Sequence, residues 1–165
     1  MIGRRIERLQ FLSSSLAGFL RGAGAFDQAG LEWLLELGNS SITYRSRYLA
    51  VAQLIPVLDL LLLDEQNPHA VLFQLKLVSR SLKRLNDDFA APRELALPIL
   101  VERLASVDLG CLENALFGDS SVRSALNGLA DLLQEIADVS NQVSDRLALR
   151  HFAHVDDISQ GTVSL

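Results

Sequence analysis

The 165-residue sequence predicts an all-α fold, a helical bundle of about six helices with a long C-terminal helix. Three observations predict it. Leu and Ala, both strong helix formers, dominate the apolar residues, while aromatic residues make up only 6% of the chain and β-branched runs are sparse. Apolar residues recur at spacings of three and four through nearly the whole sequence, the period of one helix face. The longest such stripe, Val122, Leu126, Leu129, Leu133, Ile136, Ser140, Val143, Leu147 and His151, continues without a break and fits a bundle seam. A chain of this size buries roughly 70% of its unfolded surface in a single domain.

The elements follow in order. The first helix runs from Ile2 to about Leu20 on a stripe of Ile2, Ile6, Leu9, Leu12, Leu16 and Leu20. The glycine-rich stretch Arg21 to Ala25 ends it, and Asp27 is placed to cap a second helix from Gln28 to Tyr48 or beyond. Pro56 opens a third helix, Val57 to Leu63, because proline is tolerated in a first turn. Asp64-Glu65-Gln66-Asn67-Pro68 is a turn, with Asn67 as N-cap and Pro68 as the first residue of a helix reaching about Leu85. Asn86-Asp87-Asp88 breaks the chain again. Pro92 starts a helix through Arg103, kinked at Pro98, and a short apolar segment, Asp108 to Phe117, follows. Gly118-Asp119-Ser120-Ser121 caps the last helix, which runs from Val122 to His151 or His154 and packs across the first two. The domain covers residues 1–155, and residues 156–165 form a flexible tail.

Composition narrows the function classes. A net charge of −5 without any run of Lys and Arg alone argues against nucleic-acid binding. Cys111 is the single cysteine, so no internal disulfide can form, and a reducing cytoplasm is the natural setting. The greasiest window, Leu49 to Leu63, contains Gln53, Pro56 and Asp59 and is too short to cross a bilayer, so no membrane partner is expected. Arg4-Arg5 ahead of Leu9 to Leu20 has the outline of an export signal. Glu7, Arg8, Gln10 and Ser13-Ser14-Ser15 interrupt the apolar core that such a signal needs. There is no phosphate-binding glycine loop, dinucleotide fingerprint, nucleophile elbow or zincin motif. His151 and His154 sit at i, i+3 but lack a second ligand pair, so neither a metal nor a cofactor is expected.

Charged and tyrosine side chains on helices are the remaining candidates. Arg4, Glu7, Arg8 and Phe11 share the face of the first helix opposite its apolar stripe. That face is either a solvated surface with an Arg4–Glu7 pair, or it is buried, with Glu7 pairing an arginine from elsewhere and Gly3 permitting close helix contact. On the second helix, Arg45 projects near the middle of the stripe Leu31, Leu34, Leu35, Ile42, Leu49 and Ala52, with Tyr44 and Tyr48 flanking it. A guanidinium stays charged, so a buried Arg45 needs a carboxylate such as Glu7 or Asp59, backbone carbonyls, or an anionic ligand. The candidate polar or anion-binding cluster is therefore Arg4, Glu7, Arg8, Tyr44, Arg45, Arg47, Tyr48 and Asp59. Asp64 reads as a turn residue. An enzyme acting on a carboxylate or phosphate would use Arg45 and Arg47 as its clamp and Glu7 or Asp59 as acid/base. No pair of residues has the pattern of a base and its nucleophile, so catalytic residues stay unassigned.

Four blocks, taken in order, carry a family resemblance. Ile2-Gly3-Arg4-Arg5-Ile6-Glu7-Arg8 contains a Gly-Arg-x-x-Glu-Arg pattern, and Leu34-Leu35-Glu36-Leu37 leads to Thr43-Tyr44-Arg45-Ser46-Arg47-Tyr48. Pro56 to Asp64 with Asn67-Pro68 is the third block, and Arg150-His151-Phe152-Ala153-His154 is the fourth, with His151 where an aromatic residue is usual. Together they resemble the bacterial alpha-E domain, an all-helical family of unknown function. That domain is usually longer, with an earlier copy of the Gly-Arg-x-x-Glu-Arg motif, so the resemblance implies that this chain is its C-terminal half. Family members occur fused to, or encoded beside, a circularly permuted ATP-grasp amide ligase, often with a transglutaminase-like protease. The resemblance thus implies a helical interaction or accessory domain in peptide modification, with an ATP-grasp-type ligase or related accessory proteins as partner. A missing half would leave an apolar face for another copy to cover, and a homo-oligomer is expected.

Overall fold

A computed structural model describes residues 2–22, 26–49, 51–85, 96–112 and 120–160, with side chains undescribed at 85, 120 and 150–160. All regular structure among these residues is helical, as the sequence predicts. Helix α1 (Ile2–Arg21) buries Ile6, Leu9, Leu12, Leu16 and Leu20. It lies along α7 (Ser120–Gln160), whose stripe from Val122 through Leu133 and Ile136 to Val143 is buried in turn. This is the most extensive helix pairing in the fold, and a 2.8 Å ion pair from Arg21 to Asp131 spans it. The backbone of α7 stays helical to Gln160, past the His151–His154 end that the stripe predicts.

The second predicted helix is two helices. α2 (Gln28–Leu37) starts on the expected cap, with Gly30 N donating to Asp27 Oδ1 at 2.8 Å. It stops at residues 38–40 in a C-terminal motif with two bonds: Asn39 N donates to Glu36 O at 2.9 Å, and Ser40 N to Leu35 O at 2.8 Å. Asn39 holds the left-handed position at φ 49°, which asparagine tolerates. Gly38 serves a different need: a Cβ there would meet Leu61 Cδ2 at 2.5 Å, so the missing side chain lets the leucine run behind it pack close. α3 (Ser41–Tyr48) then begins with a new rotational phase. α2 packs chiefly on α3 and α4 (Leu54–Leu58), and the expectation that the last helix packs across the first holds at α1.

α4 carries Pro56 in its first turn and passes into a π turn (Asp59–Leu63), closed by Asp64 N donating to Asp59 O at 3.0 Å. The wider turn sits where Leu60, Leu61 and Leu62 are all fully buried, with α4, α5 and α6 around it. α5 (Val71–Leu85) starts three residues later than expected. Asn67 does not cap it. Its Oδ1 accepts from His69 N at 3.1 Å, and its Nδ2 donates to Leu60 O at 2.9 Å and to Ser40 Oγ at 3.1 Å, so it ties three segments together. α6 (Ala96–Ala105) has Pro98 in its first turn, where no hydrogen bond is lost and no kink is required, and Arg103 pairs with Glu135 of α7 at 2.6 Å. A short 3₁₀ turn (Leu109–Leu112) follows. The breaks and caps expected at 86–88, 92 and 118–119 lie outside the described residues. No helix among the described residues is long and apolar enough to cross a membrane.

Candidate functional site

The apolar stripe of α1 faces α7, which turns Arg4, Arg5, Glu7, Arg8 and Phe11 outward, all exposed. The solvated reading of this face therefore holds, and the doubly buried one does not. Gly3 has open space where a side chain would stand, so it marks no close helix contact. The Arg4–Glu7 pair does not form: among the described residues, Arg4, Arg5, Glu7 and Arg8 take part in no ion pair.

Two grooves meet at these arginines. One, of about 550 Å³, is lined by Arg4, Glu7, Arg8 and Phe11 of α1, by residues 37–39 at the C-terminal end of α2, and by His69. The other, of about 460 Å³, is lined by Arg4, Arg5 and Arg8 and, across from them, by Pro68, Phe73, Gln74 and Leu77. Partial burial, and then the positive charge of Arg8, hold the pKa of His69 below its usual value. Asn39 Nδ2 lies 3.4 Å from His69 Nε2, and an amide nitrogen only donates, so this contact needs the neutral ring.

The α3 candidates form a separate group. Tyr44, not Arg45, is the buried residue of α3: its hydroxyl accepts from Gln53 N at 3.1 Å and donates to Val51 O at 3.3 Å, fixing the segment that leads into α4. Its ring lies 4.9 Å from that of Tyr48. The Tyr48 phenol is pushed above its usual pKa by burial first and by the nearby Asp59 carboxylate second. Arg47 is paired with Asp64, whose other oxygen accepts from Gln66 N at 2.8 Å. Asp64, read from the sequence as a turn residue, is therefore both a turn residue and the carboxylate partner expected of Asp59. Asp59 itself is exposed and in no ion pair among the described residues.

Arg45 is exposed and lines a small third pocket with Glu32, Glu36, Ser41 and Tyr44, away from Glu7 and Asp59. The break at residues 38–40 moves it off the apolar stripe. A buried Arg45 would cost several kcal/mol to remove. On an exposed one, Arg45→Ala is expected to change the unfolding free energy by less than about 0.5 kcal/mol, read as an unshifted urea midpoint. A loss above about 2 kcal/mol would require a buried partner that this geometry does not contain.

The sequence-derived cluster thus splits: Arg4, Glu7 and Arg8 share the α1 grooves, while Tyr44, Arg47, Tyr48 and Asp59 gather at the end of α3. Asn39, His69, Phe73 and Gln74 complete the grooves without having been singled out by the sequence. Their turns supply the one available signal, the Gly38-Asn39 and Asn67-Pro68 dipeptides. No group of three or more His, Cys, Asp or Glu among the described residues is placed to hold a metal, and His151 and His154 lie among the side chains left undescribed. Cys111 is exposed, its thiol directed to Asp108 O at 3.1 Å.

Comparison with known proteins agrees with this architecture. An uncharacterized protein of Mycobacterium bovis and its counterparts in two strains of Mycobacterium tuberculosis are each 36% identical to the chain over 86 residues. That stretch is 51% of this chain and 10% of each relative, so the match spans a small part of much longer proteins. No solved structure matches. Residues 1–152 match Alpha-E, described as a predicted alpha-helical domain with a conserved ER motif. Glu-Arg occurs at 7–8, on the groove face of α1, and again at 102–103, in α6. The chain belongs to the Alpha-E family of helical domains.

Proposed function

We propose that this domain is a non-catalytic docking module serving an ATP-grasp-type amide ligase in peptide modification. The separation of the polar groups is the observation that carries the reading. Glu7, one acid/base candidate, opens onto a groove at α1, away from both clamp arginines; Asp59, the other, lies at the end of α3, where Arg47 is already held by Asp64 and Arg45 lines a different pocket. An enzyme needs its base, clamp and reacting atoms within hydrogen-bond reach of one another. Two exposed apolar side chains on and just after α3 support the docking role. Ile42 is 87% exposed and Leu49 90%, and Leu49 holds a left-handed backbone at φ 46°. A leucine there costs roughly 1 kcal/mol and gains no core contact, which suits a residue kept for a partner. The longer proteins that carry the related segment in Mycobacterium also fit a domain working beside others. A homo-oligomer is part of the proposal; light scattering showing a monomer at high micromolar concentration would remove that part.

The test is capture of the cognate ligase by the full chain, followed by amide-ligation assays with and without it. Capture without turnover by the chain alone is expected. Leu49→Gly should weaken capture while leaving the melting temperature unchanged or slightly raised. Turnover by this chain alone, abolished in Glu7→Gln, would overturn the reading in favour of an enzyme acting on an anionic substrate.

A further inference from the structure

We infer that the groove between α1 and α5 binds an acidic peptide segment with apolar side chains, its carboxylates paired by Arg4, Arg5 and Arg8. This rests on the docking reading and names the chemistry of the docked partner. The charge is the first observation. Three guanidinium groups converge on this groove with no ion pair among the described residues, in a chain whose net charge is −5. An always-protonated group with five donors is suited to carboxylate recognition.

The walls are the second observation. Phe73 and Leu77 are half-buried and, with Pro68, give the groove an apolar side opposite the arginines. Inorganic phosphate satisfies the guanidiniums but brings no apolar surface for Phe73 and Leu77. A peptide with acidic and apolar side chains meets both requirements.

The probe is a fluorescent twelve-residue peptide of repeating Glu-Glu-Leu, titrated with the full chain beside a Lys-Lys-Leu control and inorganic tripolyphosphate. The acidic peptide should bind, and binding should weaken as salt is raised. Arg4→Ala and Arg8→Ala should each weaken it about tenfold, since each removes a charge-assisted contact from an exposed position that the fold does not need. Absence of binding, equal binding of the lysine peptide, or binding unchanged in Arg4→Ala and Arg8→Ala overturns the inference. So does tripolyphosphate binding tighter than the peptide. Ligase capture that survives the Arg4→Ala/Arg8→Ala double variant leaves the docking reading standing and removes this groove from it.

Discussion

Asn67→Ala is expected to lower the unfolding free energy by about 3 kcal/mol, seen as a lower urea midpoint with an unchanged slope. The side chain is 2% exposed and makes three hydrogen bonds, to Ser40 Oγ, Leu60 O and His69 N. Each bond contributes only about 1 kcal/mol net while formed, but its loss in a dry site leaves an unmatched group that costs about 1–3 kcal/mol. The Leu60 carbonyl carries most of this penalty, because Leu60, Leu61 and Leu62 around it are fully buried. The same residue sits between the turns carrying Asn39 and His69, so its removal should also loosen both groove walls facing α1. A loss below about 1 kcal/mol would mean that Leu60 O and His69 N find other partners once Asn67 is gone.

Where one helix face stays in register with the sequence, the fold is readable. α1 and α7 carry uninterrupted three-and-four stripes, and both are helices whose stripes are buried. Asp27 caps α2 as its position predicts. The misreading of Arg45 has one cause. Gly38-Asn39-Ser40 is a helix stop followed by a new start, and three non-helical residues reset the phase on which the projection depended. With the stop respected, Tyr44 becomes the inward residue of α3 and Arg45 faces outward. Asp59 and Asp64 trade roles for a related reason: the π turn between them shifts the face each presents, and no hydrophobic period signals such a turn. At the site, the arginines of α1 are legible because they lie opposite a clean apolar stripe. The other side of each groove is not. Asn39, His69, Phe73 and Gln74 come to α1 only through chain reversals at residues 38–40 and 64–70, and local spacing carries no record of that approach.

Leu133→Ala should be the more damaging change, at about 4 kcal/mol. Leu133 lies fully buried on the inward stripe of α7, in the helix pair with the broadest contact in the fold. Truncation removes its transfer free energy and leaves a cavity that the seam closes only in part, since the packed apolar side chains on either side of Leu133 keep α1 and α7 from closing in. Against a total stability of about 5–15 kcal/mol for a domain, this is enough to bring the unfolding midpoint near ambient conditions. Leu149→Ala is the control: the same substitution on the same helix, at a side chain 70% exposed, should cost less than about 0.5 kcal/mol. The contrast separates seam packing from the small gain in intrinsic helix preference that alanine brings at both sites. Because Arg4, Arg5 and Arg8 stand on the face of α1 turned away from α7, Leu133→Ala should keep peptide binding at the groove whenever the domain is folded. Equal, small losses at both leucines would show that α7 does not dock on α1 in solution.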